Sequence, residues 1–121
     1  MEIKQFEKKM EEMRGKLSPS EILNTVFDLL EKNPTWEERE VLEGWLMTFS
    51  IADHDRVALY WKNHLYQGSH TRKVVASTFL TVLAKRNEVA RNILREYLAT
   101  TNPEDDPNVE NLRTRFQEID K

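Results

Sequence analysis

The stretch Ser18–Glu38, SPSEILNTVFDLLEKNPTWEE, decides the fold. It opens and closes on the same device. Ser18 precedes Pro19, a residue suited to the first helical position, and Glu21 stands three places after the serine. Thr35 and Glu38 repeat that spacing. A hydroxyl at such a cap accepts a bond from the third backbone N–H, and the glutamate reaches back to the N–H of the cap itself. Between the two boxes Ile22, Leu23, Val26, Phe27 and Leu30 form a broad apolar face at helical spacing, and Lys32-Asn33-Pro34 ends the run. One helix therefore stops a few residues before the next begins.

The pattern recurs toward the C-terminus. Val41, Leu42, Trp45, Leu46 and Phe49 form the core face of a third helix. A fourth is expected over about 54–66, with Asp53 as cap and Gly68 past its end. A fifth covers about 70–86 after Ser69, and a sixth about 88–100 after Asn87, with Val89, Ala90, Ile93, Leu94 and Tyr97 inward. Asp106 is expected to cap a seventh that starts at Pro107, in which Val109, Leu112, Phe116 and Ile119 step three, four, three. At the other end, Glu2–Gly15 carries Ile3, Phe6, Met10 and Met13, followed by Leu17, as one narrow seam.

With 3 glycines, 4 prolines and no cysteine in 121 residues, the composition is that of an all-α chain. The expected architecture is a single domain of six or seven helices stacked as antiparallel helix hairpins. Residues 1–17 form a peripheral helix, 18–100 the helical core, 101–106 an acidic loop and 107–121 a last helix. Hairpin starts near 19, 54 and 88 repeat at about 34–35 residues, the period of tetratricopeptide repeats. The residue pattern of that family is absent: Trp61 and Lys73 fall where it needs small residues.

No apolar run is long enough to span a bilayer, and the first sixteen residues mix acids and bases with no apolar core of a leader. The chain is expected to be cytoplasmic, with no membrane partner. Its net charge of −3 is unevenly spread. Residues 53–95 carry +5, and the segments on either side carry −4 each. A basic middle between acidic ends either pairs with those ends or faces an acidic partner.

The stretch 52–70, ADHDRVALYWKNHLYQGSH, holds all three histidines. His54-Asp55 is the dipeptide of the HD phosphohydrolases, but no histidine precedes it to complete their metal site. On one helix His54 and His64 lie about 80° apart in register and ~15 Å apart along the axis, so they cannot share an ion. His64 falls instead among Val57, Tyr60, Trp61 and Leu65, the apolar face, as a half-buried packing residue. No metal, cofactor or catalytic group is expected: there is no glycine-rich phosphate loop and no nucleophile elbow.

Two features point to binding. Leu59 and Tyr66 fall opposite the main apolar face of the fourth helix, as a central helix or a partner surface requires. The fifth helix has a polar stripe, Lys73, Ser77, Thr81 and Lys85, with Thr78 beside it and no acid between, and the sixth adds Arg91 and Arg95. Such a face suits either phosphates or pairing with the acidic ends of the chain; its small hydroxyl residues also suit spacers that let a neighbour approach. The expected function is a non-enzymatic protein–protein interaction module: an adaptor, an inhibitor, an antitoxin-like protein or an assembly subunit. Its partner-binding residues would be Leu59 and Tyr66, with Ile3, Phe6, Met10 and Met13 docking the first helix on the last or on a second copy as a homodimer. The alternative is a nucleic-acid-associated protein that uses Lys73, Lys85, Arg91 and Arg95 of the basic region 56–95.

Overall fold

The computed structural model describes residues 3–120, with the side chain of Ile3 outside the described part. The described chain is all-α, with seven α-helices and one 3₁₀ turn. The helices are α1 (Ile3–Arg14), α2 (Pro19–Leu30), α3 (Trp36–Thr48), α4 (His54–Gln67), α5 (His70–Ala84), α6 (Glu88–Thr100) and α7 (Val109–Ile119). They gather into two compact units that divide between Asp53 and His54. Hairpin starts at Pro19, His54 and Glu88 keep the spacing read from the sequence. No helix among the described residues is long and apolar enough to cross a membrane.

In the first unit α1 and α2 both pack on α3. Ser18 and Thr35 form complete capping boxes with Glu21 and Glu38. Glu21 Oε1 accepts from the Ser18 N–H at 3.1 Å, and Glu38 Oε1 from the Thr35 N–H at 2.9 Å. Those N–H donors, with the cap hydroxyls, hold both carboxyls below the ordinary glutamate value. Asn33 adopts a φ of 52°, the left-handed conformation that asparagine tolerates, and turns the chain between α2 and α3. Ile22, Leu23, Val26 and Phe27 are buried from α2, as are Leu42 and Leu46 from α3. A short 3₁₀ turn, Ser50–Ala52, ends the unit.

The middle of the narrow α1 seam is spent inside the protomer. Phe6 and Met10 are buried and α1 lies on α3. This corrects two expectations: the seam does not lie open to a second copy, and its principal neighbour is the third helix rather than the last. Met13 is half-buried.

In the second unit α4, α5 and α6 pack pairwise, and α7 closes against α5 and α6. Gly68 and Ser69 alone join α4 to α5. Ser69 accepts from the Arg72 N–H and Asn87 from the Ala90 N–H, so both act as the caps their positions suggest. Val57, Ala58, Trp61 and Leu65 are fully buried from α4. Burial of each such large apolar side chain stabilises by roughly 1.5–3 kcal/mol before the entropy of ordering it. Trp61 stacks at 4.8 Å on Phe79, and His64 lies half-buried against Tyr60 at 4.7 Å, the packing role its register suggests.

Helix α7 begins two residues later than expected, and Asp106 is not its N-cap. Asp106 is buried, at 2% exposure, and accepts from the Tyr97 hydroxyl at 2.6 Å and from the Asn108 N–H at 3.0 Å. One carboxylate oxygen takes the buried phenol and the other the Asn108 N–H, so Asp106 closes the turn before α7 rather than its first helical turn. It pins the loop after α6, and α7 starts where the loop ends.

Candidate interaction surfaces

Helix α4 is apolar on two sides. Its second face carries Leu59, Lys62, Asn63, Tyr66 and Gln67, at positions that recur one turn apart. They line a shallow groove of about 390 Å³. Leu59 is 53% exposed and Tyr66 38% exposed. Tyr66 leans edge-on against Tyr97 of α6, ring centroids 5.2 Å apart. Burial, and then the Glu96 carboxylate, pushes its phenol above the ordinary tyrosine value. So α6 accounts for part of Tyr66, and Leu59 is left facing solvent. A large apolar side chain there is neither core nor capped by a neighbour.

The basic middle is organised differently from an open phosphate-binding stripe. Ser77 is fully buried and Thr81 is 9% exposed. Their hydroxyls donate to Val74 O at 2.8 Å and to Ser77 O at 2.7 Å, and Asn108 Nδ2 donates to the Ser77 hydroxyl at 3.3 Å. The small Ser77 side chain meets Asn108 where α7 packs on α5. Helical hydroxyls can return a bond to the preceding turn and so be buried without a partner elsewhere.

The cations around them are mostly committed. Lys73 Nζ donates to Leu65 O at 2.9 Å and Tyr66 O at 3.3 Å, closing the C-terminus of α4. It also sits 5.9 Å from the centre of the Tyr97 ring. Arg91 donates to Ala84 O at 2.7 Å and Lys85 O at 3.3 Å, the last carbonyls of α5, while pairing with Glu88 at 2.9 Å. Arg95 bridges Glu88 and Asp120. This tie lowers both carboxyls and raises the guanidinium, whose strongest partner is Asp120. Of the four candidate nucleic-acid residues, only the Lys85 side chain is exposed and outside such a contact.

The three histidines do not form one site. His54 and His64 stand at different turns of α4, and His70 is exposed at the start of α5. Among the described residues no group of three His, Asp or Glu side chains gathers around a common point. Sequence reasoning passed over three exposed apolar residues, Trp36 at 66%, Ile51 at 75% and Val82 at 51%. Trp36 occupies the first helical position after the Thr35 cap, which the core periodicity of α3 does not include; that omission was its only signal. Of the N-terminal partner candidates, Phe6 and Met10 are buried, Met13 is half-buried and the Ile3 side chain lies outside the described residues.

Comparison with protein-family models, with curated proteins and with solved structures gave no match for this chain.

Proposed function

We propose that the protein is a non-enzymatic interaction module that presents the second face of α4 to a partner protein, in a cytoplasmic setting. The observation that carries this reading is the exposed Leu59 beside Tyr66 on a helix whose opposite side is already fully packed. Neutral amides and one lysine rim it. Such a composition, with an apolar centre and a polar border, is that of a protein-binding patch. A nucleic-acid role has less support, because Lys73, Arg91 and Arg95 are engaged by carbonyls and carboxylates of their own unit.

The test is a photocrosslinker introduced at Leu59 of the full chain in the native host, with a second placed at Lys85 as control. A discrete protein adduct from the first and not the second is the expected result. Equal labelling from both positions argues against the α4 face. Retention on heparin separates the two classes: a phosphate-binding protein elutes with a steep salt dependence, and the module proposed here is not retained.

A further inference from the structure

We infer that the charged face of α1 is a self-association surface, on which α1 of a second copy of this chain lies antiparallel across a twofold axis. The surface belongs to the first unit and does not depend on the α4 face. Lys4, Glu7, Lys8 and Glu11 fall at i, i+3, i+4 and i+7, one stripe of the helix. All four are exposed. They line a groove of about 420 Å³ together with Glu40, Val41, Gly44 and Trp45 of α3.

The order of signs along the stripe is plus, minus, plus, minus. A twofold axis between positions 7 and 8 sets Lys4 opposite position 11 of the second copy and Glu7 opposite position 8. Symmetry repeats both pairs, so every facing pair is of opposite charge. Parallel pairing in register would set like against like. Within one helix the same residues are poorly arranged: Lys4 and Lys8, and Glu7 and Glu11, are like charges one turn apart, which disfavours an isolated helix. The opposite charges three apart do not close either. Among the described residues none of the four forms an ion pair.

The facing wall suits a close neighbour. A Cβ added at Gly44 would meet nothing within 4 Å, so the α3 backbone is open to approach there. Val41 and Trp45, both half-buried, give the groove an apolar floor that a purely charged contact lacks. Phe6 and Met10 stay inside the protomer, so no part of either core has to be exchanged. The stripe is only about 10 Å long, and pairs between exposed charges add little each. The dimer is therefore weak, reversible and sensitive to salt.

The experiment is sedimentation equilibrium of the full chain at about 50 mM salt, where screening is modest, up to about 1 mM protein. The mass of the wild type should rise from 14.4 kDa toward twice that value. Lys8→Glu and Glu7→Lys should each stay monomeric, with unchanged far-ultraviolet dichroism. An equimolar mixture of the two should associate, and so should the double variant Glu7→Lys/Lys8→Glu, because both restore opposite charges across the axis. A wild type that stays monomeric throughout overturns the inference. So does a single variant that dimerises as well as the wild type, or a mixture and double variant that both fail to associate.

Discussion

The phenol of Tyr97, in the last turns of α6, donates a 2.6 Å hydrogen bond to the carboxylate of Asp106, and both residues are buried. Burial, then this bond, pushes the phenol well above its ordinary 10.0. Tyr97→Phe should destabilise by roughly 1–3 kcal/mol, because it leaves a buried acceptor oxygen of Asp106 without its partner. Asp106→Asn should cost less, since a carboxamide still accepts from the Asn108 N–H. Urea denaturation orders the two variants. The folded chain holds the phenolic proton more tightly than the unfolded chain. The contribution of Tyr97 is thus complete below pH 10.0 and falls as pH rises beyond it. An alkaline limb that is unchanged in Tyr97→Phe contradicts the assignment.

The two capping boxes make a matched pair of tests. Ser18→Ala and Thr35→Ala should each cost about 0.5–2 kcal/mol in thermal unfolding. Both partner glutamates have lowered pKa values, first through the backbone N–H of their cap residues. Their contribution is complete above the unfolded value of 4.5 and is lost as pH falls through the lower folded value. Acid melts of Glu21→Gln and Glu38→Gln should therefore show a shallower loss of stability below pH 4.5 than the wild type.

These caps were legible because a cap is local: hydroxyl, spacing and glutamate all lie within four residues. Ser69 and Asn87 were legible for the same reason. Asp106 was misread because its partner, Tyr97, lies nine residues away and the carboxylate looks identical in either role. The usable signal was the inward register of Tyr97, since a buried phenol needs an acceptor. The buried side of the α1 seam was also legible, but periodicity tells which face is covered and not by what. Ser77 and Thr81, read either as a polar face or as spacers, are buried, because a helix supplies its own acceptors to their hydroxyls.

Lys73 and Lys85 look equivalent on the stripe of α5 and should behave differently. Lys73→Met removes the donor that closes the carbonyls of Leu65 and Tyr66. It should cost about 1 kcal/mol or more, because a charged donor to helix-end carbonyls is lost. Lys85→Met touches no such bond and should stay within about 0.5 kcal/mol of the wild type. Guanidinium denaturation of the pair measures the difference; equal midpoints would place Lys73 in solvent.

Met10 is fully buried on the seam of α1. Met10→Ala should destabilise by about 2–5 kcal/mol. The loss should not depend on protein concentration, because the seam is covered within the protomer. A cost that appears only at high concentration would move that contact to an interface between copies.

Two glycines provide opposite outcomes from one substitution. Gly44 lies in the middle of α3 at an exposed position, and a Cβ there meets nothing within 4 Å. Gly44→Ala only removes the conformational freedom of glycine from the unfolded chain, and should stabilise by about 0.5–1 kcal/mol. Gly68 follows α4, and its N–H donates to His64 O at 2.9 Å. A Cβ there would stand 2.4 Å from His64 O and 2.8 Å from Arg72 Cβ. Its φ is not positive, so the demand for glycine comes from close approach rather than from a left-handed backbone. Neither obstacle is the flexible end of a side chain. Gly68→Ala must push the backbone of α4 away from the start of α5, and should cost about 1–3 kcal/mol. Both variants are compared by thermal melts in dilute solution, where α1 contacts between copies are not populated. A Gly68→Ala protein that melts with the wild type would mean that the turn between α4 and α5 is more open than the structure has it.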